Sequence, residues 1–319
     1  MLKRSWFLLL IVCLFSCDKK SETEAEIEKI EVDFKLIRFD QEFAETTEEE
    51  LPVLKSNYPF LFPEQYPDSI WVQKLNDSIQ EEVNTEVNKK FPEFSAENDD
   101  LYSLFQHVKY YFPDFQAPDV ITVTSEVDYK NKVIYTGDYL FISLDTYLGE
   151  DHRFYLGMQE YFKKNFTKDQ ILPDAALEIA KEYVPKADSR TFLSHMLYYG
   201  KLLYLKDRFI PFKTDAEKIG YSEEELVWAQ ANEDQVWRYF IENELIFDTD
   251  SQLFTRFLYP GPFSKFYLQL DAESPARLGQ FIGWNIIKSY MDKNDVSIQK
   301  MLNTPSEEIF NKAKYKPRK

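Results

Sequence analysis

The chain predicts an α+β fold, a mostly helical body with a small, largely antiparallel β-sheet. Three observations predict it. Residues 119–148, DVITVTSEVDYKNKVIYTGDYLFISLDTYL, are dominated by Val, Ile, Thr and Tyr and alternate over several short stretches. From residue 149 onward apolar residues recur at helical spacing. Only 8 glycines stand among 319 residues, too few for propellers, β-helices and other turn-dense folds. No repeat of about 20–50 residues is visible, so no solenoid is expected.

In chain order, Ile30 to Phe43 (IEVDFKLIRFDQEF) alternates apolar and polar residues and reads as a first strand. Helical spacing follows over 47–57, 70–90 and 97–112, separated by Pro-aromatic loops such as YPFLFPEQYPDS. Strands are expected at 120–124, 132–136 and 139–144, with turns near Lys130-Asn131 and Gly137-Asp138. Helices are expected at 153–165, 168–183, 188–209, 222–246, 275–293 and 305–313. Ser222 and Glu225 form a capping box. Thr304-Pro305-Ser306-Glu307 offers an N-cap, a proline at the first helical position and a second box. The helix over 188–209, with SRTFLSHMLYYGKLLYLKDRF, is apolar around most of its circumference. Such a helix is buried on more than one side and forms the centre of a fold.

The N-terminus carries a separate signal. MLKRSWFLLLIVCLFS sets Lys3 and Arg4 ahead of an apolar run that ends in Leu14-Phe15-Ser16 and Cys17. That is the layout of a bacterial secretory signal with a lipobox. Residues 1–16 are expected to be a signal peptide, cleaved before Cys17, whose sulfur would carry diacylglycerol. Residues 17–28 are expected to be the lipidated N-terminus and a polar tether. Residues 29–319 then form one domain, with a helical part at 29–118, the sheet at 119–148 and a helical core at 149–319. A helix over Ser5–Ser16 would span about 18 Å, short of a hydrocarbon core of about 30 Å. Polar sequence, DKKSETEAEIEK, follows at once, so anchoring by acyl chains is expected instead.

Cleavage would leave 36 basic against 55 acidic residues, a formal −19. That balance excludes a nucleic-acid partner, which needs a basic surface. Anionic lipid would repel the body, so membrane affinity must come from the acyl group. Of two cysteines, Cys13 leaves with the signal and Cys17 is acylated, so no internal disulfide is expected. Stability rests on a core for which 27 Phe, 21 Tyr and 5 Trp supply the material.

Chemistry-bearing motifs are sparse. The three histidines, His107, His152 and His195, include no H-E-x-x-H pair. His195 is expected to be hydrogen-bonded on a buried helix. No G-x-S-x-G elbow or phosphate loop occurs. Acidic runs such as Glu48–Glu50, Glu81-Glu82 and Glu223–Glu225 read as solvated faces, and Trp228, Trp237 and Trp284 as core.

Residues 141–184, FISLDTYLGEDHRFYLGMQEYFKKNFTKDQILPDAALEIAKEYV, resemble a group of Bacteroidetes envelope proteins related to zincin-type zinc metallopeptidases. In such relatives a strand ending in L-D-x-Y-L-G leads to a helix bearing H-E-x-x-H. A second helix carries an E-G-x-A-D-F-like phrase whose glutamate resembles a third ligand. Here the first phrase is Lys181-Glu182-Tyr183-Val184-Pro185, so Lys181 and Pro185 stand at the histidine positions and only Glu182 matches. In the second helix Tyr199 replaces the glutamate and Gly200 matches the glycine. The alternative register, His195 to Tyr199, keeps one histidine and loses the Gly200 match. The resemblance implies a zincin-like domain with a vestigial site at Lys181, Glu182, Pro185, Tyr199 and Gly200, with no catalytic residue, metal or cofactor. An ammonium repels a dication, Pro185 has no donor atom, and without metal nothing lowers the pKa of a bound water.

Four longer phrases are similar to the GldB family of gliding-motility lipoproteins: YPFLFPEQYPDSIWVQKLND (58–77), SEVDYKNKVIY (125–135), LSHMLYYGKLLYLKD (193–207) and PARLGQFIGWNIIKSYM (275–291). This implies a lipid-anchored component of the gliding machinery on the inner or outer membrane, with its body outside the cytoplasm. Its expected partners are the membrane, through Cys17, and other gliding-motility or type IX secretion proteins. Two alternatives stand beside it. One is a peptide- or glycan-binding lipoprotein using a vacated cleft lined by Tyr198, Tyr199, Tyr204 and Glu182. The other is an active zinc peptidase using His195, His152 and Glu182.

Overall fold

A computed structural model describes residues 22–268 and 271–317. The expected signal peptide and the lipidated Cys17 lie outside the described residues.

The three strands expected between 119 and 148 all form, and α+β is the observed class. β1 (Leu36–Ile37), β2 (Asp119–Val123), β3 (Val133–Tyr135) and β4 (Tyr139–Ser143) make one sheet in the order β1-β2-β4-β3. The pairing differs from expectation. β1–β2 and β2–β4 are parallel and only β3–β4 is antiparallel, so the sheet is mixed rather than largely antiparallel. The cause is the connection over 124–132. It carries β3 two places away, and the β3–β4 hairpin returns β4 into the gap. Fully buried Asp145 holds this connection, its carboxylate accepting the backbone N–H of Ser125 at 3.0 Å and of Val127 at 2.6 Å. Glu126 and Val127 take left-handed φ values of 57° and 59°, costly for side chains other than glycine. Charge-assisted bonds to a buried carboxylate offset that cost.

Helices α1 (Glu22–Ile27), α2 (Phe39–Glu45), α3 (Leu51–Asn57), α4 (Asp68–Leu75), α5 (Ser78–Lys90) and α6 (Ser95–Tyr111) precede β2. After β4 come α7 (Glu160–Lys163), α8 (Ile171–Tyr183), α9 (Phe192–Phe209), α10 (Asp215–Ile219), α11 (Glu223–Ala231), α12 (Glu233–Glu242), α13 (Gln252–Phe257), α14 (Leu278–Lys293), α15 (Ile298–Leu302) and α16 (Ser306–Ala313).

Several expected elements are shorter or broken, each for a local reason. The stretch 30–43 supplies only β1 before turning into α2. Phe39 and Phe43 then share one helical face and pack with Leu51, Leu54, Phe62 and Trp71 in a small second core. The helix expected over 70–90 splits at Asp77, whose side chain accepts the N–H of Ile79 and starts α5. That over 222–246 splits at Asn232, although its capping box at Ser222 and Glu225 forms. Residues 153–165 give one 3₁₀ turn, a left-handed Gly157 and the short α7. The box at Thr304 does not form. Thr304 donates to the Lys300 carbonyl at 2.7 Å, and Asp188 holds the start of α16 by accepting the Ser306 N–H at 2.6 Å and its hydroxyl at 2.8 Å. Residues 22–28, read as tether, belong to the packed body. Ile27 is buried and Tyr110 on α6 donates to Glu26 at 3.2 Å.

α9 is central, as its all-round apolarity requires, and α14 crosses it at backbone contact. A Cβ placed on Gly200 would stand 2.4 Å from the Gly283 carbonyl oxygen, and one on Gly283 2.0 Å from that of Met196. Seven residues beyond Gly200 on α9, Asp207 accepts the indole N–H of fully buried Trp284 at 2.7 Å. Gly283→Ala gains helix propensity of about 1 kcal/mol but drives a methyl into a backbone. It should lower stability by about 2 kcal/mol or more. Gly261→Ala, whose nearest new contact is 3.8 Å away, should stay within about 0.5 kcal/mol. Denaturant-unfolding midpoints of the two variants check this.

Candidate functional site

α8 and α9 pack side by side, and a cleft of about 340 Å³ opens between them. Asp174, Leu177 and Lys181, spaced three and four residues apart, line it from α8. Tyr198, Tyr199, Leu202, Leu203 and Lys206 line it from α9. Lys132 precedes β3, Lys218 and Gly220 end α10, and Arg277 and Gln280 come from the start of α14. Leu258, Tyr259 and Pro260 complete the wall. Lys132, Lys181, Lys206, Lys218 and Arg277 thus face a single lining acid, Asp174.

Three of the five cations are ion-paired. Lys132 lies 2.5 Å from Asp174, which also accepts the Tyr147 hydroxyl at 2.8 Å. Lys218 is 3.2 Å from Asp207 and 3.5 Å from Asp215. Lys181, exposed at the rim, is 2.5 Å from Glu178. Lys206 and Arg277 have no carboxylate within 4.0 Å among the described residues. Lys206 is only 4% exposed, and its ammonium donates to the Lys218 carbonyl. The Arg277 guanidinium donates to the Gly220 carbonyl at 2.7 Å and lies 5.3 Å from the Tyr221 ring centroid. Asn165 donates to the same carbonyl at 3.1 Å. Gly220 is left-handed (φ 70°), a backbone that favours glycine, and a Cβ there would stand 2.9 Å from the Asn165 amide nitrogen. Arg277 itself is left-handed at φ 62°, a strained setting for a long side chain.

Burial pushes the Lys206 ammonium down to about 7. Asp174 opposes that shift, while Arg277, Lys132 and Lys218 add to it. Burial, with Tyr259 and Tyr198 beside it, pushes the Tyr199 phenol up to about 12. A larger hollow of about 770 Å³ runs along α2 and α5. It is lined chiefly by amides and acids such as Asn84, Asn88 and Glu81 and offers no comparable unpaired buried charge.

Of the five residues at the expected vestigial site, the structure brings two into this cleft, Lys181 and Tyr199. Glu182 is exposed and does not line it. Pro185 borders a separate cavity of about 160 Å³ with Asp188, Ser194, Lys201 and Ser306. Gly200 is taken up by the crossing with α14. Among the aromatic candidates, Tyr198 lines both cavities, while the Tyr204 hydroxyl accepts from Arg208 at 2.8 Å.

The histidines keep separate neighbours. His107 Nδ1 is 2.7 Å from the Ser103 carbonyl, and His152 Nε2 is 3.4 Å from Glu86. His195, expected to be hydrogen-bonded, instead packs on Phe254 with centroids 4.2 Å apart, and burial lowers its pKa. Among the described residues no three of His, Cys, Asp and Glu are grouped to hold a metal ion. Sequence reasoning missed Lys132, Lys206, Lys218 and Arg277. The one signal was a lysine inside the apolar phrase LLYLKD.

The lowered Lys206 pKa fixes the sign of a pH effect. Between about 7 and the ordinary value of 10.5 the unfolded chain holds a proton that the folded chain lacks. This group therefore makes stability rise with pH across that window and adds a constant penalty below it. Lys206→Met should raise the thermal midpoint at pH 7, by about 2–4 °C per kcal/mol regained, and flatten the rise above pH 7. Melting curves between pH 6 and 10 measure both.

Among the described residues no helix is long and apolar enough to cross a membrane. No curated protein and no solved structure matches the chain. Residues 20–317, which include both walls of the cleft, match the family of the gliding motility protein GldB, and the chain belongs to that family.

Proposed function

We propose that this member of the family is a lipid-anchored, non-catalytic component of the gliding machinery. It is held at the cell envelope through Cys17 and works by contact with other motility or type IX secretion proteins. Family membership supports the role in motility. One observation carries the non-catalytic part: the chemistry at the positions where the zincin resemblance puts ligands. Lys181 offers a cation already paired with Glu178. Pro185 offers no donor. Tyr199, with its phenol near 12, stays neutral at ordinary pH and is a poor ligand, since metal binding favours deprotonated donors. Glu182 lies outside the cleft that Lys181 and Tyr199 share.

The anchor reading rests on Leu14-Phe15-Ser16-Cys17 and on charge. A body at a formal −19 after cleavage is repelled overall by anionic lipid, so acyl chains must hold it. Cys17→Ala should release the protein from the membrane fraction and abolish spreading on agar. Spreading that persists with the protein released would remove anchoring from the account. Purified wild-type protein should contain far less than one zinc per chain by elemental analysis. A stoichiometric zinc with peptide cleavage would establish the peptidase reading instead.

A further inference from the structure

We infer that the cleft between α8 and α9 is a binding site for an oxyanion, a carboxylate or phosphate head on an apolar body, seated between Lys206 and Arg277. This does not depend on the lipid anchor or on the motility role.

The cleft is lined by two cations, Lys206 and Arg277, with no carboxylate within 4.0 Å among the described residues, Asp174 acting on Lys206 from farther away. A buried ammonium has three donors, and that of Lys206 uses one, on the Lys218 carbonyl. A guanidinium has five, and Arg277 uses one, on the Gly220 carbonyl. The two carbonyls are two residues apart at the end of α10, so both cations converge on one turn. Lys206 is buried and Arg277 half-buried; charge held there without a close partner is costly, and an oxyanion would supply a nearby countercharge and accept from donors that no protein group takes up. The guanidinium fork suits the planar or tetrahedral oxygens of such a head. The strained backbone of Arg277 and the left-handed turn at Gly220 are the local costs of holding that fork in place.

The walls specify the rest of the ligand. Leu177, Leu203, Leu258 and the rings of Tyr198, Tyr199 and Tyr259 line the cleft above the cations. A volume of about 340 Å³ suits a small molecule or one end of a chain. The groups facing Lys206 are Asp174 from α8, Lys132 from the sheet, Lys218 from α10 and Arg277 from α14. Asp174 is already engaged by Lys132 and Tyr147. Because Lys206 is largely neutral above pH 7, an anion bound there recruits a proton, and affinity should weaken by up to about tenfold per pH unit as pH rises from 7 to 9.

The test uses the full-length protein in detergent, with sodium hexanoate, hexyl phosphate and hexanol at matched ionic strength, read by thermal shift and calorimetry. At least one of the two anions should raise the midpoint saturably, hexanol should not, and the stronger anion identifies the head group. Lys206→Met should raise the unliganded midpoint yet lose at least about tenfold in anion affinity. Arg277→Asn, which keeps a residue tolerant of left-handed backbone, should lose affinity while melting cooperatively. No saturable response to either anion, an equal response to hexanol, or full anion affinity in both variants would overturn the assignment.

Discussion

The backbone contact between α9 and α14 sets the geometry on which everything else depends. With glycine on both helices, the axes close until carbonyl oxygens occupy the space of a missing Cβ. α9 then has two working faces. The backbone at Met196 and Gly200 and the side chain of Asp207 meet α14, while Tyr199, Leu203 and Lys206 line the cleft shared with α8. The same approach brings the first turn of α14, with Arg277 at its start, to the edge of the second face. Lys206 and Arg277 are 71 positions apart in the chain, and the crossing is what makes them neighbours. A wider crossing would preserve most of the core and lose the juxtaposition.

The electrostatic arrangement runs against the composition. The chain carries 55 acidic and 38 basic residues, yet its central cleft is cationic. Exposed acids act across water, where a Debye length of about 8 Å at physiological salt screens them. Lys206 is buried and Arg277 half-buried, at lower dielectric, where each charge counts for more. An acidic exterior slows the approach of any anion, so selectivity must come from the fit at the floor and the apolar walls, not from steering.

Parts of this were legible in the sequence because they are local. Alternation placed the three strands of 119–148, all-round apolarity placed α9 at the centre, and Ser222 with Glu225 marked a helix start. What failed was non-local. Period-2 alternation says that β2 and β4 are strands but not that they are neighbours, a fact decided by Asp145 gripping a loop some 20 residues away. The helix expected over 70–90 was broken by one capping aspartate that periodicity does not weigh. At the site, the zincin resemblance led to Lys181, Pro185 and Tyr199, residues close in sequence. The cleft is instead built from positions between 132 and 280, contributed by four helices (α8, α9, α10 and α14) and by loop residues such as Lys132 and Pro260. No spacing rule joins them. Lys206 was the exception in principle: a lysine in the middle of a buried face must either lose its charge or find a partner.

The two proposals about the cleft share a physical root. A bare divalent cation and an oxyanion ask for opposite fields, so a cavity lined mainly by cations favours the second. In the register used for the zincin resemblance, Lys181 stands where a histidine would be expected and Tyr199 where a glutamate would. Each difference moves the lining toward positive charge, by adding an ammonium or removing a carboxylate. The cleft also holds Lys132, Lys206, Lys218 and Arg277 against one lining acid, already engaged by Lys132 and Tyr147. A dication entering that field would meet repulsion before it met a ligand. On this reading, the excess of positive charge in the cavity disfavours a metal ion and favours a carboxylate or phosphate.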